Sequence, residues 1–135
     1  MSTTRILVAI LGAGLFASCL AGETDSSEAV QEGQRLYDYH CRGCHGDTGR
    51  GDGLTAETLK VKPSNLRKLA RKNKGEFPLE RVTQSIDGRR RTEAHGTPMP
   101  IWGLQFQDPT TDVYQEGEVS LRIERLIEYL KTIQE

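Results

Sequence analysis

Apolar side chains recur at helical spacing in two stretches lying toward opposite ends of the chain. In residues 26–40, Ala29, Val30, Gly33, Leu36, Tyr37 and His40 share one face, which predicts a helix. Asp25 stands where it can cap that helix, with Glu28 three residues on as in a capping box, aspartate replacing the usual serine or threonine. In residues 119–133, Val119, Ile123, Leu126, Ile127, Leu130 and Ile133 form an apolar stripe with charges opposite, the clearest helix in the sequence. Two shorter helices are expected between them. One runs from Asn65 to Lys74 around Leu66, Leu69 and Ala70, with Gly75 to close it. The other runs from Pro78 to Asp87 around Leu79, Val82 and Ile86. Proline near its start and Gly88 past its end suit helix boundaries. No segment alternates as a half-buried strand does, so the expected fold class is all-α, about four helices with long loops. Residues 46–58 and 88–117 exceed ordinary connections of about 4–6 residues, and loops wrapped around a cofactor would explain them.

Composition points the same way. Only 36% of the 135 residues are hydrophobic, a thin core for one domain, and such domains lean on disulfides, metals or cofactors. Disulfides are disfavoured, because the three cysteines are Cys19, Cys41 and Cys44, and two of them share one short motif. The first 22 residues carry one charge, Arg5, followed by the apolar or glycine run Ile6 to Phe16 and small residues at Ala17, Ser18 and Ala21. That layout reads as a secretory signal over residues 1–21, leaving a domain over 22–135. An uncleaved anchor is the alternative, although the run is short for a spanning helix of roughly 20 residues. Leu15 to Cys19 resembles the lipobox of bacterial lipoproteins, with Phe16 departing from the usual leucine. Lipidation of Cys19 and plain cleavage after Ala21 both stand, and either delivers the domain to the bacterial periplasm, soluble or lipid-anchored. Without residues 1–21 there are 17 basic against 19 acidic side chains, a formal charge of −2 that argues against a nucleic-acid partner.

Cys41-Arg42-Gly43-Cys44-His45 is a C-x-x-C-H sequence, the attachment signature of c-type haem. Two thiols with two residues between them on a helical turn can add to the two vinyl groups on one porphyrin edge. The following imidazole is then placed beneath the iron as proximal ligand. A thioredoxin-like dithiol would need strands. A zinc site would need four ligands, for which His40 and His95 are the further candidates. Thr97-Pro98-Met99-Pro100 offers a distal ligand: prolines on both sides stiffen the backbone of Met99, which lies 54 residues after His45 and is the only methionine after the signal. A lone methionine is otherwise core filler. His95, in the same loop, is the competing ligand, whereas His40, by the attachment edge, reads as a half-buried surface residue.

Taken together, residues from about Glu32 to Ile133 resemble the class I cytochromes c. The likeness rests on Gly33 and Tyr37 ahead of the Cys-His-Gly motif, then Gly49, Gly51 and Gly53, Pro63-Ser64-Asn65-Leu66, a Met-Pro-x-Trp-Gly segment, and a last helix bearing Tyr129. It implies a cytochrome c-like fold around one covalently bound haem c, with Gly33 crossing beneath Tyr129. It also implies that the Pro63 carbonyl accepts the second ring N–H of His45. Trp102 is expected either to pack by the haem or reach a propionate, or to be ordinary core. One of Arg89, Arg90 and Arg91 is a candidate for a propionate, against the plainer reading of a solvated face.

A histidine–methionine pair fills both axial positions, which favours one-electron transfer over catalysis, and methionine raises the reduction potential. The expected function is an exported electron carrier between redox protein partners, not an enzyme. The alternatives are a haem-based small-ligand sensor and a dedicated subunit of a larger oxidoreductase. Lys60, Lys62, Arg67, Lys68, Arg71, Lys72 and Lys74 crowd one segment, while Glu116, Glu118, Glu124 and Glu128 mark another. That asymmetry suits docking on an acidic partner or, equally, a solubilising helix face.

Overall fold

A computed structural model describes residues 21–90, 99–111, 113 and 115–135, with side chains from residue 26 onward. Residues 1–20 of the expected signal, Cys19 among them, and Arg91, His95 and Pro98 lie outside the described residues. Five α-helices are present among those described: α1 (Ala21–His40), α2 (Arg42–His45), α3 (Leu79–Asp87), α4 (Trp102–Gln105) and α5 (Glu116–Thr132). Three single 3-10 turns, at Ala56–Thr58, Leu66–Lys68 and Arg71–Asn73, punctuate the chain between α2 and α3. The described residues contain no strand, and the fold is all-α as the patterning indicates.

The two end helices form the frame. α1 packs chiefly on α5, and α3 packs on both α5 and α4. From α1, Ala29, Gly33 and Tyr37 face inward at intervals of one turn. From α5, Val119, Ile123, Leu126, Ile127, Tyr129 and Leu130 are buried, with Ile133 half-buried at its end. Burying each large aliphatic side chain contributes roughly 1.5–3 kcal/mol relative to leaving it exposed. Gly33 decides how close the helices come: a Cβ there would overlap the backbone carbonyl of Arg125 and lie 2.9 Å from Tyr129 Cβ. The glycine-under-aromatic crossing is therefore present, and Tyr129 also leans on Tyr37 with ring centroids 5.2 Å apart.

Helix ends follow local chemistry where nothing tertiary intervenes. α3 starts after Pro78 and stops at Gly88, whose left-handed backbone (φ 71°) turns its N–H back to Gln84 O at 3.0 Å. α5 has Glu116 and Glu118 in its first turn and Lys131 in its last, matching the helix dipole. α1 begins at Ala21 rather than near Ser26, which puts Asp25 inside the helix and not at its cap.

The segment 65–74 is not the helix its pattern predicts but two separate 3-10 turns. The Asn65 side chain accepts the Arg67 N–H at 3.0 Å, making a local turn in place of a helical start. Gln134 then blocks the α-helical bond between Ala70 N–H and Leu66 O. Its side-chain amide accepts from Ala70 N at 3.0 Å and donates to Leu66 O at 2.9 Å, inserting itself between the two. Glu135 adds an N–H to Arg67 O at 2.8 Å and an ion pair to the Arg67 guanidinium at 2.7 Å.

Candidate functional site

α1 delivers the attachment motif directly. Cys41 N–H donates to Tyr37 O at 2.8 Å, prolonging the helical ladder, and His45 N–H donates to Cys41 O at 2.8 Å. Cys41, Cys44 and His45 thus occupy one turn, all half-buried, with both thiols unpaired. A four-residue helix leaves its last carbonyls without partners, and here the following loop supplies them. Arg42 O accepts from Gly46 N (2.8 Å), Gly43 O from Thr55 N (3.0 Å), Cys44 O from Gly53 N (3.1 Å) and His45 O from Gly51 N (2.8 Å). This is why residues 46–58 form a long loop: they fold back to complete the turn that carries the motif. Gly53 is the closest point of the return, since a Cβ there would overlap Gly43 O and stand 2.6 Å from Cys44 C and 2.7 Å from Arg42 O. The Thr55 hydroxyl donates to Gly43 O at 3.0 Å and lies 3.2 Å from Cys44 Sγ. From within the core, the Tyr37 hydroxyl donates to Gly46 O at 2.6 Å. None of these ties, nor the Thr55 contact, has a signal in the sequence beyond the glycines.

His45 Nδ1 lies 3.1 Å from the carbonyl of Ser64, so that nitrogen carries the proton and donates it. Sequence reasoning named the neighbouring Pro63. In the structure the Pro63 carbonyl faces Gly51 instead, and the chain presents the next carbonyl to the imidazole. The register is set by Leu66 N–H, which donates to Gly49 O at 2.7 Å and draws residues 64–66 against the glycine loop. Burial lowers the pKa of His45, opposed in part by the Ser64 bond, so the ring is neutral. Burial and the neighbouring Cys44 push the Cys41 thiol up to about 12, so it too is uncharged.

The other sequence-predicted site residues lie apart from the motif turn in sequence, and of them Trp102 is brought to the end of α1. Met99 is half-buried and packs against the core cluster. Trp102 opens α4 and stacks on Phe106 with centroids 5.5 Å apart, and both rings meet His40 edge-on at 5.1 and 5.2 Å. His40 is half-buried as expected, and burial with the nearby Arg122 charge lowers its pKa. Arg89 is engaged with Asp87 and Glu116, while Arg90 is exposed. Gly103, quoted in the sequence motif without a role, is buried against Asp87 and Arg89.

These residues suit a haem. Two half-buried thiols share a turn with an imidazole whose outer nitrogen is anchored, and the Met99 thioether packs on the same core as Cys41. Among the described residues, no three histidine, cysteine, aspartate or glutamate side chains converge as a metal cage. Two surface grooves, one between α1 and α5 and one between α3 and α5, are lined largely by charged side chains and touch none of the motif residues.

A family model described as cytochrome c oxidase, cbb3-type, subunit III matches residues 28–109, more than half of the chain. No curated protein and no solved structure matches it.

Proposed function

The chain belongs to the cbb3-type cytochrome c oxidase subunit III family of c-type cytochrome domains, with covalently bound haem c, and we propose that it is an exported one-electron carrier with histidine–methionine ligation. Cys41 and Cys44 would hold the group through thioethers, and His45 Nε2 and the Met99 sulfur would ligate its iron. When bound, the haem supplies the ferric–ferrous couple. The observation that carries the reading is the motif turn, whose four carbonyls are tied into the glycine loop and whose imidazole is fixed by Ser64 at 3.1 Å.

Each residue's task follows from its setting. The Ser64 carbonyl holds the Nδ1 proton of His45, which fixes the ring's orientation and leaves Nε2 as the donor. Tyr37 and the loop 46–58 keep the turn rigid, so little moves when one electron arrives. Met99, a soft neutral donor, favours the reduced state and raises the potential. With His45 and Met99 both bound, the iron would have no position left for a substrate, and the partners are redox proteins. Trp102 is assigned to packing beside the haem edge of α1, through His40 and Phe106. Export rests on the signal-like residues 1–21, with lipidation of Cys19 leaving the domain over 22–135 anchored and cleavage after Ala21 leaving it free. Among the described residues no helix is long and apolar enough to cross a membrane.

Absorption spectra of the holoprotein test this directly. A low-spin haem c spectrum unmoved by carbon monoxide, with the weak near-infrared band of methionine on ferric iron, is expected. Met99→Ala should lose that band, bind carbon monoxide and show a lower potential. An unchanged spectrum in that variant removes Met99 from the iron, and a wild-type spectrum shifted by carbon monoxide transfers the case to a ligand sensor. The family description favours a second reading, a dedicated electron-transfer subunit of a larger oxidase. Stoichiometric co-purification with such a complex from native membranes distinguishes it from a diffusing carrier.

A further inference from the structure

Arg89 follows the glycine that ends α3, and its guanidinium makes two forked pairs at once. Nε and Nη2 donate to Asp87 Oδ1 and Oδ2 at 2.6 and 2.8 Å. Nη1 and Nη2 donate to Glu116 Oε2 and Oε1 at 2.8 and 3.1 Å. Asp87 closes α3 and Glu116 opens α5, so one side chain joins two helix ends far apart in sequence. The side chains of Arg89 and Asp87 are each only 24% exposed, whereas Glu116 is 62% exposed. A doubly bidentate, partly buried arginine fixes geometry in a way that isolated surface pairs do not.

α4 rests on this cluster. Gly103 is buried so closely against it that a Cβ would overlap Asp87 Oδ1 and lie 2.5 Å from Arg89 Nε and 2.9 Å from Arg89 Cδ. Met99 stands four residues before Gly103, so the stem that carries it sits on one ion-paired plate. We infer that Asp87, Arg89 and Glu116 form a clasp that positions Met99, with Arg89 acting on the iron site through α4. This deepens the histidine–methionine reading and rests on it. Loosening the clasp populates conformers with Met99 off the iron, and the apparent affinity of an outside ligand rises in proportion to that population.

The test uses the ferric holoprotein with imidazole as probe, read by its apparent affinity, by the near-infrared methionine band and by far-ultraviolet circular dichroism. Arg89→Gln should bind imidazole about tenfold more tightly and weaken the band with helix content unchanged. Arg89→Lys keeps the charge without the fork and should fall between wild type and Arg89→Gln. Glu116→Gln, at the exposed end of the clasp, should shift the same way by a smaller factor. Lys131→Gln loses an exposed pair with Glu128 on the same helix and should match wild type. Should Arg89→Gln not accumulate as holoprotein, Arg89→Lys and Glu116→Gln decide. The clasp is overturned if those variants bind imidazole like wild type, or if Lys131→Gln shifts as far as they do. Met99→Ala separates the two levels. If it leaves the wild-type band and imidazole affinity unaltered, the ligation reading itself falls. If it opens the iron while the clasp variants do nothing, only the clasp falls.

Discussion

Around Cys44 and His45 the chain is held by its own backbone, whereas α4 is held by side chains reaching in from other elements. On the proximal side every carbonyl from Arg42 to His45 accepts an N–H from the loop that follows, and Ser64 reaches the imidazole through the same backbone web. At α4 the anchors are the Trp102–Phe106–His40 rings and the double fork of Arg89. Backbone ties are hard to lose singly, because an orphaned buried carbonyl or N–H costs about 1–3 kcal/mol. Side-chain ties can be weakened one at a time. The difference teaches that the motif turn is built to be permanent, while the stem that bears Met99 is adjustable.

The strongest way to break the proximal half is Gly53→Ala. Its methyl has no space between the Gly43 and Arg42 carbonyls, and backbone cannot yield as a flexible side chain can. The expected loss is about 3 kcal/mol, with poor haem incorporation, read by chemical denaturation and by the yield of holoprotein.

Tyr37→Phe is a milder cut through the same web. It leaves Gly46 O without its 2.6 Å donor and should cost about 1–1.5 kcal/mol. Burial raises the pKa of Tyr37 above its ordinary 10.0, with further contributions from Cys41 and Tyr129. The folded state therefore keeps a proton that the unfolded chain releases, and stability is full below pH 10 and declines as pH rises beyond it. Denaturation midpoints taken between pH 9 and 11 should show this decline flattened in Tyr37→Phe, in the protein with haem attached. An identical alkaline slope in both proteins would reassign it to other groups.

Gln134→Ala sharpens the comparison by testing a side chain on the proximal side. It frees Leu66 O and Ala70 N–H to bond with each other, so the net cost should be smaller, about 1 kcal/mol. Far-ultraviolet circular dichroism should gain a little helix as 66–70 takes up the pattern its sequence carries. A loss of helix would contradict the inserted-amide account.

The smallest effect is expected from His40 in the Trp102 cluster. Burial and Arg122 lower its pKa from 6.5, so the unfolded chain binds the proton more readily. Its contribution is present above pH 6.5 and fades as pH falls through the lowered value. Near-ultraviolet circular dichroism of the Trp102 cluster should loosen in acid, and His40→Phe should remove that phase while leaving the motif turn unaltered.

How far sequence reading reached depended on how local each feature is. The α3 boundaries were legible from Pro78 and Gly88, and the α5 stripe from its period, because both are decided within a few residues. The 65–74 segment misled because Gln134, more than sixty residues on, occupies its helical hydrogen bonds. The four-residue α4 inside the expected loop had no periodic signal to betray it. Within the site, the motif cysteines and His45 could be read at once, since covalent attachment demands fixed spacing. The carbonyl that serves His45 could not, because Pro63 and Ser64 offer chemically equal acceptors and only the loop register chooses between them.

By itself the sequence determined the class of fold, the group carried and the turn that bears it, for those follow from periodicity and from reactive side chains at set intervals. It also placed Gly33 where two helices meet. Tertiary structure alone decided that Ser64 holds the imidazole, that Tyr37 anchors Gly46, and that Arg89 binds carboxylates on two helices. Carbonyls are present at every residue and arginines in every charge run, and only the packing of α1, α3 and α5 selects which of them meet.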